Sequence, residues 1–226
     1  MKKKIELIVL ILIIAGLICL SKNLEERVSS EKVKSKKQTV VLDAGHGGMD
    51  SGKVGVNGAL EKDINLVIAK MVKKELEKKD IRVIMTRTKD ECLAKDSSGN
   101  QKIQDMRARV ELINKSKPVM AVSIHQNSFH QSNVKGAQVF YFKHSDKGEK
   151  NAVIMQEILR SVDVGNTKEP KADDTYYLLK KTEVPILIVE CGFLSNPEEA
   201  EKLSGEEYQK QMAKGIAEGI LACLQD

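Results

Sequence analysis

The sequence predicts an α/β domain built on a mostly parallel, twisted sheet with helices on both faces. Two observations predict it: from Thr39 onward, short β-rich apolar runs alternate with stretches of helical periodicity, and strands separated by helices pair in parallel. The runs are apolar at consecutive positions, as strands buried on both faces must be.

The first strand is expected at 39–43, where Thr39-Val40-Val41-Leu42-Asp43 ends in a glycine-rich loop from Ala44 to Ala59. Ile64, Val67, Ile68 and Met71 follow helical spacing and predict the first helix. A strand at 81–86 follows, then a helix carrying Ile103, Met106, Val110 and Ile113. Strands at 119–124 and 137–142 precede a third helix over 147–162, with Ala152, Met155, Ile158 and Leu159 on one side. A strand at 186–190 and a helix from Glu206 to Leu224 close the chain.

Composition limits what this domain binds. The 226 residues carry a net charge of +5, but residues 1–38 hold nine Lys or Arg against four Asp or Glu, and the remainder balances at 28 against 28. A folded part with no charge excess argues against a nucleic-acid partner. The N-terminus reads Met1-Lys2-Lys3-Lys4 followed by an apolar run from Leu7 to Leu20, the pattern of an export signal or signal anchor over 1–20. Ile18 before Cys19 is too bulky for a lipidation site. Residues 21–38 are charged and poor in large apolar side chains and are expected to form a tether, with a single folded domain over 39–226. Export then implies an extracytoplasmic protein, secreted or in contact with the membrane through its N-terminal segment. Cys92, Cys191 and Cys223 lack disulfide or structural-zinc spacing and are expected to be thiols, with Cys191 and Cys223 packed in the core.

Four polar residues stand where apolar runs stop: His46, Glu61, His125 and Glu190. Ligand crevices of open α/β sheets form at strand ends, so such residues converge. Two imidazoles and one carboxylate suit a catalytic zinc with an open fourth position, and a second carboxylate suits a base. Gly45, Gly47 and Gly48 let the backbone around His46 turn sharply. Glu61 opens a helix, where the dipole alone favours an acid. Glu190 ends an apolar strand, where an unpaired carboxylate is costly without a cation. Gly47 to Lys53 also spells G-x-x-x-x-G-K, but Val54 replaces the magnesium-binding Ser or Thr, and Gly55 and Gly58 oppose a helix there. His130 and His144 are expected on polar surface, and Arg107 and Arg109 in exposed or interhelical salt bridges.

These segments resemble one family. Val41-Leu42-Asp43-Ala44-Gly45-His46-Gly47-Gly48, Glu61-Lys62-Asp63-Ile64-Asn65, Ser123-Ile124-His125-Gln126-Asn127-Ser128 and Val189-Glu190-Cys191-Gly192-Phe193-Leu194-Ser195-Asn196 resemble the zinc-dependent N-acetylmuramoyl-L-alanine amidases. Thr86 to Asp90, Arg109-Val110 with Asn114, and Pro185 fall in the same order, and Gly136 to Tyr141 resembles the germination-specific spore-cortex branch. The resemblance implies one zinc ion on His46, Glu61 and His125, with Glu190 as the catalytic glutamate. It implies a peptidoglycan substrate, cut between N-acetylmuramic acid and L-alanine, during spore-cortex modification in the forespore intermembrane space. Ala44, Gln126 and Cys191 depart from residues common in the family without removing a reactive group. Without wall-binding repeats, targeting falls to the tether or to an exported accessory protein. The alternative is an exported domain that binds peptidoglycan or a partner with its amidase site idle.

Overall fold

Side chains of a strand point alternately to opposite faces, so a run such as Val40-Val41-Leu42 needs cover on both sides. The computed structural model describes residues 38–94 and 100–225, and the signal segment and the tether through Lys37 lie outside the described residues. Among the described residues, six strands form one sheet: β1 (Thr39–Ala44), β2 (Arg82–Met85), β3 (Met120–Asn127), β4 (Gln138–Phe142), β5 (Lys171–Asp173) and β6 (Ile186–Phe193). Their order is β2-β1-β3-β6-β4-β5. β2, β1, β3 and β6 are mutually parallel, β4 runs antiparallel to β6, and β5 follows β4. The expected mostly parallel sheet is present, with a reversed margin.

The helices are α1 (Glu61–Glu77), α2 (Gln101–Ser116), α3 (Asp146–Val162), α4 (Tyr177–Lys181), α5 (Pro197–Ser204) and α6 (Glu206–Cys223). One face of the sheet, with Leu42, Val122 and Leu187, packs on Ile68 and Val72 of α1, Met155 of α3 and Ile216 of α6. The other, with Val41, Ala121 and Ile188, packs on Ile113 of α2 and on Leu178 and Leu179 of α4. Both faces are covered, and each buried aliphatic contributes about 1.5–3 kcal/mol against exposure.

The apolar faces differ in detail from the sequence pattern. Val67 and Ile103 turn outward at 37% and 49% exposure, while Val72 and Leu76 extend the buried side of α1. β5, α4 and α5 were too short for periodicity to find, although Asn196 as cap and Pro197 at the first turn mark the start of α5. Cys191 and Cys223 are buried and Cys92 half-buried, and none of the three is in a disulfide. Among the described residues, no helix is long and apolar enough to cross a membrane.

Candidate metal centre

Polar side chains near the strand ends do not stop the ladder, because backbone pairing needs no apolar side chain. β3 and β6 therefore run past the apolar runs that predicted them. His125, expected just beyond its strand, and Glu190, expected as the last residue of its own, both lie within longer strands and face each other in register. Alternation places Asp43, Ser123, His125 and Glu190 on the face of Val41, Ala121 and Ile188. α1 packs on the opposite face, and its first residue, Glu61, reaches the same strand ends.

The loop after β1 brings His46 over this point. His46 has φ 61°, a left-handed conformation unusual outside glycine. Two glycines permit the close approach: a Cβ at Gly45 would run into the His125 ring, and one at Gly52 would lie 2.5 Å from Glu61 Oε2 and 2.7 Å from His46 Cδ2. The imidazoles of His46 and His125 meet edge to face, with centroids 5.0 Å apart.

The donor atoms converge. His46 Nδ1 contacts Asp50 Oδ2 at 2.8 Å, leaving Nε2 turned toward Glu61 Oε1 at 3.2 Å. His125 Nδ1 meets the same Oε1 at 2.9 Å. One ligand atom from each of His46, Glu61 and His125 lies within 4.8 Å of the other two. Glu61 is aimed by the main-chain N–H of Lys53, which donates to Oε2 at 2.8 Å, and by that of Gln126, which donates to Oε1 at 3.1 Å.

Charge follows the geometry. Burial favours neutral Glu61, yet the hydrogen bonds and charge of His125 and His46 hold its carboxyl well below the usual range. Burial opposes charge on His125 too, but Glu61, Glu190 and Asp43 together raise its imidazole to about 8. Acids arranged to keep a proton on half-buried His125 provide the field that a metal cation would use. Burial pushes Glu190 up to about 7, against the pull of His125. Its Oε2 is buried without a hydrogen-bond partner among the described residues. Above the cluster opens a cavity of about 280 Å³, walled by Met106, Asn127, Tyr176 and Ile188, with Lys53 and Lys102 among its lining.

The donor set fits a zinc-type ion. Two imidazole nitrogens and one carboxylate oxygen are its usual catalytic ligands, and a buried carboxylate with a free oxygen stands beside them. All four residues singled out from the sequence meet here. His130 stacks on Phe129 at 4.1 Å and His144 sits against Phe142 at 5.3 Å; neither belongs to the cluster. The G-x-x-x-x-G-K run precedes a loop and not a helix, because α1 begins only at Glu61, so it lacks the N-terminal cradle that phosphates use.

One expectation is corrected. Arg107 is exposed, but Arg109 is fully buried and reaches β1 and the His46 loop; apolar periodicity had suggested a helix surface and could not show that Asp43 and main-chain carbonyls wait for the guanidinium. Arg87 and Asp43 were also missed as parts of the site. A charged residue inside the apolar run Val40–Ala44 was the available signal.

A sequence model of N-acetylmuramoyl-L-alanine amidases matches residues 40–222. The chain belongs to that amidase family. The germination-specific N-acetylmuramoyl-L-alanine amidase of Bacillus subtilis is 39% identical over 185 residues, covering 80% of this amidase and 78% of the relative. The CwlD amidase of Clostridioides difficile, solved in complex with the GerS lipoprotein, has 38% identity and a TM-score of 0.81 over 84% of this chain and 99% of its own. A further N-acetylmuramoyl-L-alanine amidase from Clostridium difficile 630 has 32% identity and a TM-score of 0.76 over 85% and 99%.

Proposed function

We propose that this amidase works with one zinc ion held by His46, Glu61 and His125, and that Glu190 is its general base. The substrate is peptidoglycan, cut at the amide between N-acetylmuramic acid and the L-alanine of the stem peptide. Glu190 Oε2 carries the reading: a buried carboxylate oxygen without a partner, beside two imidazoles and an acid, is costly unless a cation and a proton transfer use it.

When bound, zinc lowers the pKa of a water to about 7 and polarises a carbonyl. The protein does the rest. Asp50 at His46 Nδ1 fixes the tautomer and leaves Nε2 free as a donor. Glu190, with a pKa near 7 before the ion binds, is matched to take the proton from the attacking water and return it to the departing alanine nitrogen. The apolar walls supplied by Ile188 and Met106 limit bulk water, which strengthens each of these interactions.

A role in spore-cortex modification, in the forespore intermembrane space, is supported by likeness to the germination-specific relative and by the export signal pattern. That pattern also supports membrane contact through the N-terminal segment. An exported accessory protein is supported by the lipoprotein seated on the Clostridioides difficile amidase.

The test is digestion of peptidoglycan by the purified protein with zinc, counting new free L-alanine amino termini. Release should stop with a chelator and return with zinc. Undiminished release in chelator overturns the zinc reading, and no release at all supports a binding domain with an idle site.

A further inference from the structure

We infer that Arg87 and Arg109 are positioning residues that set the spacing of the metal ligands, acting as a two-guanidinium clamp on the His46 loop. The inference rests on the zinc reading above. Three successive carbonyls of that loop end on these two side chains. Ala44 O accepts from Arg87 Nε at 2.9 Å and from Arg109 Nη1 at 2.8 Å. Gly45 O accepts from Arg87 Nη2 at 3.0 Å, and His46 O from Arg109 Nη2 at 2.7 Å. A non-glycine residue at φ 61° is strained and persists where its surroundings over-determine it. Here the clamp does so, holding His46 by its own carbonyl.

Each arginine also ties the loop to another part of the site. Arg87 Nη2 donates to Lys62 O at 2.7 Å, so one guanidinium nitrogen joins the loop that carries His46 to the first turn of the helix that carries Glu61. Arg109 is anchored by Asp43 Oδ1 at 2.5 Å and Asp105 Oδ2 at 2.6 Å, and Asp43 Oδ2 accepts from Ser123 Oγ at 2.6 Å, two residues before His125 on β3. Arg87 thus spans His46 and Glu61, and Arg109 spans His46 and the strand of His125.

Plain loop packing does not call for this. Arg87 and Arg109 are 2% and 1% exposed, and burying a guanidinium is unfavourable until its hydrogen bonds replace those lost to water. The hydrogen bonds of Arg87 go to main-chain carbonyls alone among the described residues. Only a planar fork reaches Ala44, Gly45 and Lys62 together; a lysine ammonium keeps the charge but not the span.

Arg87→Lys and Arg109→Lys, made in the full-length protein, test this. Metal-free protein is titrated with cobalt(II), read by its d–d absorption, and with zinc against a competing chelator, while thermal melting is followed in parallel. Both variants should melt cooperatively, bind zinc about 10–100-fold more weakly, and show displaced cobalt bands as the ligand spacing changes. Wild-type zinc affinity and an unmoved cobalt spectrum in the variants overturn the clamp, whatever happens to melting. If Arg109→Lys does not fold, Arg87→Lys decides alone. A wild-type chain that binds neither ion overturns the zinc reading itself, a different result from wild-type affinity in the variants.

Discussion

Replacing Glu190 by glutamine should make the metal-free protein more stable and the zinc-loaded enzyme much less active. The carboxyl is 6% exposed with Oε2 unpartnered, and burial lifts its pKa from 4.5 to about 7. The folded state therefore holds this proton more tightly than the unfolded chain. Its contribution is complete below pH 4.5, is lost as pH rises through 7, and leaves a charge penalty above that. A displacement of this size is worth at most about 3 kcal/mol, since one pKa unit is about 1.4 kcal/mol. For a domain of this length that is roughly 6–12 °C in melting midpoint. Melting of wild type and Glu190→Gln across pH 4 to 8 should coincide at the acid end and separate in favour of glutamine at the alkaline end. Added zinc should narrow the gap, because a cation offsets the buried charge. Turnover on peptidoglycan should fall by about 10²–10⁴-fold, the loss typical of a general base. Parallel melting curves at every pH would refute the account of a dry, unpaired carboxylate, and near-normal turnover would remove Glu190 from the reaction.

Zinc must displace the proton that His125 carries below about pH 8, so chelator competition should show affinity falling about tenfold per pH unit below that value; a flat profile from pH 8 to 6 argues against His125 as a ligand. Gly45→Ala leaves every ligand in place but drives a methyl group into the His125 ring, so metal content should drop at least tenfold while circular dichroism stays native. Asp43 is held down to about 2, with burial outweighed by Arg109 and the Ser123 and Thr86 hydroxyls. It stabilises the fold by about 2 kcal/mol above its unfolded pKa and loses that as pH falls toward 2; Asp43→Asn should flatten acid melting between pH 4 and 2 and cost about 3–5 kcal/mol at pH 7 by stranding Arg109.

The reactive groups themselves were legible in the sequence. His46, Glu61, His125 and Glu190 each interrupt or follow an apolar run where a plain core would place another aliphatic side chain, and glycines at 45, 47 and 48 announced a tight turn. The parallel sheet was legible too, since consecutive apolar residues in β1, β3 and β6 need cover on both faces. The reversed margin of β4 and β5 was not, because strand direction depends on which neighbour a strand finds. The left-handed backbone at His46, the contacts of Gly45 and Gly52, and the reach of Arg87 and Arg109 to three carbonyls belong to tertiary structure. Local sequence determines which side chains carry chemistry and which elements form, since both depend on residue type and short-range period. How far apart those side chains stand, and what holds them there, is decided by contacts such as Arg109 to Asp43, 66 residues apart, which arise only when the sheet closes.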